Sequence, residues 1–106
     1  MQLVKEVDST ELKTMLDEVK PSIKLIDVRN TAEVARGKIP GSENMPLHTV
    51  PLHQETIKEH DTVILYCHSG ARSAQACSYL SNLGHDNVYN LKGGILAWVN
   101  NGHSVN

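Results

Sequence analysis

The run Val63-Ile64-Leu65-Tyr66 constrains this chain more than any other stretch. Consecutive apolar residues, two of them β-branched, read as a strand covered on both faces, because a strand wet on one side would alternate polar and apolar positions. Such a strand needs helices above and below it. The flanking sequence offers them. Asp8 or Ser9 is placed to cap a helix with Glu11 in its first turn, and Leu12, Met15, Leu16 and Val19 follow at helical spacing until Pro21 stops it. Ile23 to Val28 reads as a second buried strand ending at Arg29. Asn30-Thr31-Ala32-Glu33 repeats the capping pattern and opens a short helix that Gly37 closes.

The remaining elements are shorter. Val4 to Val7 is expected to be a brief first strand, Ile39 to Pro46 a turn-rich loop leading into another, and Pro51 to Glu59 a weakly patterned helix. From Ser73 a helix carries Ala76, Leu80 and Leu83 on one face, with Gly84 as its C-terminal cap. Asn87 to Leu91 reads as a strand, and Gly93-Gly94 turns the chain into a last helix bearing Ile95, Leu96, Trp98 and Val99. Strands alternating with helices predict an α/β fold of three layers, a mostly parallel central sheet flanked by helices on both faces. At 106 residues there is material for one core, so residues 1–106 are expected to form a single domain. A net charge of −2 gives no reason to expect a nucleic-acid or membrane partner. No segment approaches the ~20 apolar residues of a membrane span. The N-terminus has no leader-like run, and two cysteines suit a reducing compartment, so the expected location is cytoplasmic.

The chemistry concentrates directly behind the central strand, in Cys67-His68-Ser69-Gly70-Ala71-Arg72-Ser73. A thiol between a strand's carboxyl end and a helix N-terminus faces backbone N–H groups and the positive end of a helix dipole. Such positions lower a cysteine pKa from about 8.5 into the range of roughly 3.5–7.5. Gly70 lets the backbone curl, and Arg72, separated from the cysteine by four residues in a C-x4-R loop, adds a fixed positive charge. A lone cysteine is more often a buried structural thiol. The Gly, Arg and Ser at these offsets favour a nucleophile instead.

The loop resembles the active-site loop of rhodanese-homology domains, C-x-x-G-x-R-S. Three further stretches agree in order: Leu25-Ile26-Asp27-Val28-Arg29 with Glu33 behind it, Gly37-Lys38-Ile39-Pro40-Gly41-Ser42-Glu43-Asn44-Met45-Pro46, and Leu91-Lys92-Gly93-Gly94-Ile95-Leu96-Ala97-Trp98 with Gly102 after it. Lys38 stands where the family often has His. The resemblance implies the rhodanese-like fold and a sulfurtransferase. In it the Cys67 thiolate takes the outer sulfur of thiosulfate or a low-molecular-weight persulfide, and a thiol or cyanide accepts it, without metal or organic cofactor. A protein acting as sulfur donor or acceptor is the implied alternative, making the chain a relay module with weak thiosulfate activity. The resemblance also implies that the backbone of residues 68–73 holds the persulfide. Arg72 would brace the loop with Glu33 as its ionic partner, and Asp27 and Arg29 would organise the neighbouring strand end. A cysteine-dependent phosphatase or arsenate reductase is the rival, but the related phosphatase loops are C-x5-R, one residue longer.

The other chemistry-bearing residues have plainer readings. His68 and Ser69 are variable loop positions, placed either against a substrate or in solvent. Cys77, on the helix behind the loop, is expected in the core rather than as a resolving thiol. His48, His53 and His60 lack ligand spacing and read as solvated, Trp98 as a core aromatic, and Asp17, Glu18 and Lys20 as a wet helix face.

Overall fold

Thr62–Tyr66, the strand β4, runs through the middle of a five-stranded sheet in the computed structural model, which describes residues 4–18 and 23–106. Its neighbours are β2 (Ile23–Asp27) on one side and β5 (Val88–Leu91) on the other, with β1 (Glu6–Val7) and β3 (Glu43–Asn44) at the edges. All four pairings are parallel, in the order β1-β5-β4-β2-β3. Side chains of β4 alternate between two cores. Val63 and Leu65, with Cys67 beyond, pack with Val50, Ile57, Ala76, Cys77 and Leu80 on one face, while Ile64 and Tyr66 pack with Leu12, Ile95 and Trp98 on the other.

The first core is roofed by α3 (Gln54–Lys58) and α4 (Ala71–Asn82), the second by α1 (Ser9–Asp17) and α5 (Gly94–Asn100). The three-layer expectation is met, with a sheet that is wholly parallel. Both capping patterns form in full: Asp8 with Glu11 opens α1, and Asn30 with Glu33 opens the short α2 (Thr31–Ala35). Val19, Lys20 and Pro21 lie outside the described residues.

Five local expectations need correction. Helix α4 begins at Ala71 rather than Ser73, because Gly70 caps it in the left-handed region at φ 103°. Leu83 is 51 % exposed, beyond the last turn of α4 and off its buried face. Leu16, at helical spacing but 37 % exposed, also leaves the core. The helix expected from Pro51 starts earlier, as a 3-10 helix over Leu47–His53 that feeds α3. The brief third strand falls inside the Ile39–Pro46 segment instead of after it.

Tyr66 pins that segment from below. Its buried hydroxyl accepts from the Ile39 N–H at 3.1 Å and shares a hydrogen bond with Ser42 Oγ at 2.8 Å, while burial pushes its pKa up to about 12. Among the described residues no helix is long and apolar enough to cross a membrane.

Candidate active site

The carboxyl ends of β2, β4 and β5 converge on one edge of the sheet, and Cys67 sits at the centre of it. The loop from Cys67 to Gly70 turns back on itself, so that N–H groups aim at the sulfur. Gly70 N lies 3.1 Å and Ser73 N 3.5 Å from Cys67 Sγ, and Ser73 Oγ stands 3.4 Å away. The side chain is buried at 1 % exposure. Burial alone would push the thiol pKa up. The Ser73 hydroxyl and the N–H groups of Ser73, Gly70 and Arg72 outweigh it and hold the pKa below the ordinary thiol value. The twelve-residue α4 starts at this point and adds the positive end of its dipole.

The loop's outer side is fastened by the first turn of α5. The N–H groups of Ile95 and Leu96 donate to the carbonyls of Cys67 and His68 at 2.9 and 3.1 Å. Only glycine permits that approach at position 94. Its φ is +61°, and a Cβ there would lie 2.5 Å from the Cys67 carbonyl oxygen and closer still to that of His68.

The Arg72 guanidinium grips Glu33 in two parallel bonds, Nη1–Oε1 at 2.7 Å and Nη2–Oε2 at 2.8 Å. Arg72 holds the Glu33 carboxyl down at about 2, against a smaller opposing effect of burial, and the Asn30 backbone adds to the lowering. The same carboxylate accepts the Asn30 N–H at 3.2 Å, so one residue caps α2 and anchors the loop. Arg72 therefore meets the sulfur through its backbone and braces the loop through its side chain.

Asp27 and Arg29, 0 % and 5 % exposed, form a separate buried pair, Arg29 Nη2 lying 2.7 Å from Asp27 Oδ2. The guanidinium also donates to the Gly37 carbonyl at 2.7 Å, which fastens the end of β2 to the segment behind α2. Neither residue hydrogen-bonds Cys67. His68 and Ser69 are exposed on the loop, and Ala71 is exposed as the first residue of α4.

One residue of the site has no counterpart in the sequence reading. Asn90, 2 % exposed on β5, donates through Nδ2 to the Gly70 carbonyl at 3.2 Å and to Glu6 Oε2 at 3.1 Å. Its Oδ1 accepts from Ser73 Oγ at 2.5 Å. The available signal was a lone amide inside the apolar strand Val88-Tyr89-Asn90-Leu91, since a buried amide needs partners.

Cys77 is buried in the core at 1 % exposure, where desolvation, with some help from the charge of Glu6, raises its pKa to about 12. Burial thus disfavours its thiolate near neutral pH. Both cysteines are free. His48 is exposed, and His60 Nδ1 lies 2.9 Å from the Thr56 carbonyl. Among the described residues no group of three His, Cys, Asp or Glu is disposed to hold a metal ion. Trp98 is in the second core, its Nε1 donating to the Ser104 carbonyl at 2.9 Å. Beside the loop opens a cavity of about 450 Å³, lined by residues that include His68, Glu33, Arg36, Leu96, Val99 and Val105.

Comparison with known proteins points to one family. The family model described as Rhodanese-like domain matches residues 8–101. A protein of Allochromatium vinosum named sulfurtransferase is 42 % identical over 100 residues, which cover 94 % of this chain and 92 % of the relative. A putative sulfurtransferase of Bacillus subtilis is 36 % identical, with 90 % of each chain covered. Among solved structures, a rhodanese-like domain protein from Staphylococcus aureus superposes with a TM-score of 0.81 at 35 % identity, covering 90 % of this chain and 91 % of that one.

Proposed function

The chain belongs to the rhodanese-like domain family, and from that premise we propose that it moves sulfane sulfur through a persulfide on Cys67. The observation that carries the reading is the set of N–H donors, from Gly70 at 3.1 Å and Ser73 at 3.5 Å, converging on a buried sulfur whose pKa they lower. These donors favour a thiolate before the reaction and a terminal persulfide anion after it.

In the first half-reaction the Cys67 thiolate attacks the outer sulfur of a donor such as thiosulfate. A new S–S bond forms, the old one breaks, and sulfite leaves with the bonding pair. In the second, an acceptor such as cyanide attacks the terminal sulfur and departs as thiocyanate, returning the thiolate. Charge balances in each step without a proton or an outside oxidant. Arg72 and Glu33 position the loop; Asp27 and Arg29 position the strand end beside it. The C-x4-R loop length supports sulfur as the cargo rather than a phosphoryl group.

Initial rates with varied thiosulfate and cyanide test the scheme. It predicts parallel double-reciprocal lines and sulfite release before cyanide is added, at one equivalent per chain. Intersecting lines, with no sulfite until both substrates are present, would contradict it.

A further inference from the structure

Ser73 gives Cys67 a donor whose direction is adjustable. The N–H groups of Gly70 and Ser73 are fixed by the loop, whereas the Ser73 hydroxyl rotates about its C–O bond. What decides where its proton goes lies on the strand beside it. Asn90 pairs with Glu6 in the β1–β5 register, and its N–H donates to the Lys5 carbonyl at 2.8 Å, so the sheet fixes where its side chain starts. Carboxylate and carbonyl oxygens only accept, so Asn90 turns Nδ2 to Glu6 Oε2 and to the Gly70 carbonyl. Its Oδ1 is left facing Ser73, whose Oγ lies 2.5 Å from it and 3.4 Å from Cys67 Sγ. The hydroxyl still helps to lower the Cys67 pKa, so the sulfur keeps a share of the proton, and removing Oδ1 would give it the whole.

That share acts in opposite senses on the two half-reactions. During loading, a lone pair of the Cys67 thiolate attacks the outer sulfur of the donor, and a hydrogen bond to Sγ holds that pair back. During release, the acceptor attacks the terminal sulfur, the S–S bond breaks and Sγ keeps the bonding pair. The same hydrogen bond then helps Sγ to leave. In thiol–disulfide chemistry nucleophilicity falls with thiol pKa at a Brønsted coefficient of about 0.4–0.5, and the thiol of lower pKa leaves faster. A tenfold change in thiol acidity therefore moves each rate roughly threefold, in opposite directions.

We propose that Asn90, oriented by Glu6 and the Gly70 carbonyl, is a positioning residue that diverts the Ser73 proton from Cys67 Sγ, favouring loading of sulfur over its release. The inference rests on the sulfurtransferase reading and adds to it a residue outside the loop. No atom passes through Asn90; it changes only the hydrogen bonding of the sulfur.

Single-turnover rates test this, at a pH above the alkylation midpoint of every variant so that Cys67 is a thiolate throughout. Sulfite release from thiosulfate reports loading, and thiocyanate formed by cyanide from the preloaded protein reports release. In Asn90→Leu loading should slow and release should quicken, each about threefold. Asn90→Val, smaller and suited to a strand, removes the same acceptor and serves if Asn90→Leu does not fold. In a Ser73→Ala background the Asn90 substitution should change neither rate by more than about 1.5-fold, since no hydroxyl remains to redirect. A merely structural role would slow both half-reactions together. That result overturns the proposal, as does any pattern other than opposite shifts, or an effect of Asn90→Leu that survives in Ser73→Ala. Each of these leaves the sulfurtransferase reading standing, because the parent still loads and releases sulfur. If no donor loads Cys67 in the parent, that reading falls and the role of Asn90 falls with it.

Discussion

Ser73 carries one hydroxyl proton and faces three acceptors: Asn90 Oδ1 at 2.5 Å, the Gly70 carbonyl at 3.3 Å and Cys67 Sγ at 3.4 Å. Asn90 cannot turn its amide, because Nδ2 already serves the Gly70 carbonyl and Glu6. The short bond therefore competes with the sulfur for the proton. Replacing Asn90 with Leu frees it for the thiolate, a charged and better acceptor than a carbonyl. We predict that Asn90→Leu costs about 1–3 kcal/mol of stability and lowers the midpoint of the iodoacetamide-rate profile of Cys67. An unchanged or raised midpoint would refute the competition. The parent midpoint should itself lie below that of the unfolded chain, since the folded Cys67 pKa is depressed. Glu33 gives a second pH test. Its folded pKa of about 2 is below the ordinary 4.5, so the stability it contributes is complete above pH 4.5 and lost as pH falls from there toward 2. Glu33→Gln should cost on the order of 1 kcal/mol at neutral pH, given the pair's partial exposure, and the gap from the parent should close on acidification. Cys67 and Arg72 stood out because their types and offsets within one loop carry the chemistry, whereas Glu33 was readable from its own segment only as a helix cap and came to Arg72 only through the family resemblance. Asn90 was not legible, because nothing in one strand's sequence says that its amide meets a loop from another.

At the scale of elements, the Cys67 loop is a product of two junctions, β4 into α4 and β5 into α5. The first was readable: an apolar run, a glycine and a helical pattern mark it. The second was readable only as a turn. Its function, presenting the N–H groups of Ile95 and Leu96 to the loop carbonyls, depends on tertiary contact. Gly94→Ala should force the two apart, costing more than about 2 kcal/mol through clash and a positive φ. It should also abolish transfer from Cys67 even at temperatures where circular dichroism shows a folded protein. Activity within about twofold of the parent would show that the loop does not need this backing. The 3-10 helix Leu47–His53 escaped the sequence reading for a different reason: Pro46 and Pro51 flank and interrupt it, and its three-residue turns leave no 3.6-residue apolar period. The early start of α4 was hidden because periodicity begins only with the first buried side chains, whereas Gly70 had already set the helical direction.

Across the whole molecule, the sheet order decides which residues become neighbours. With β4 central, its carboxyl end lies between those of β2 and β5, bringing Asp27-Val28-Arg29 and Asn90 to either side of Cys67. The alternation of strands and helices made the parallel sheet legible; the strand order, and hence this convergence, was not contained in any local pattern. The fold also treats the two buried cysteines differently: loop donors lower the pKa of Cys67, while Cys77 in the core has its pKa raised to about 12. Iodoacetamide at neutral pH should add once to the native protein and twice after unfolding; a second native adduct would mean that the core opens readily. The most direct measurement is the intact mass of the native protein after thiosulfate or glutathione persulfide treatment. One added sulfur, removed by cyanide and absent in Cys67→Ser, is the predicted result. An unchanged mass with every donor, or a sulfur retained in Cys67→Ser, would contradict the account.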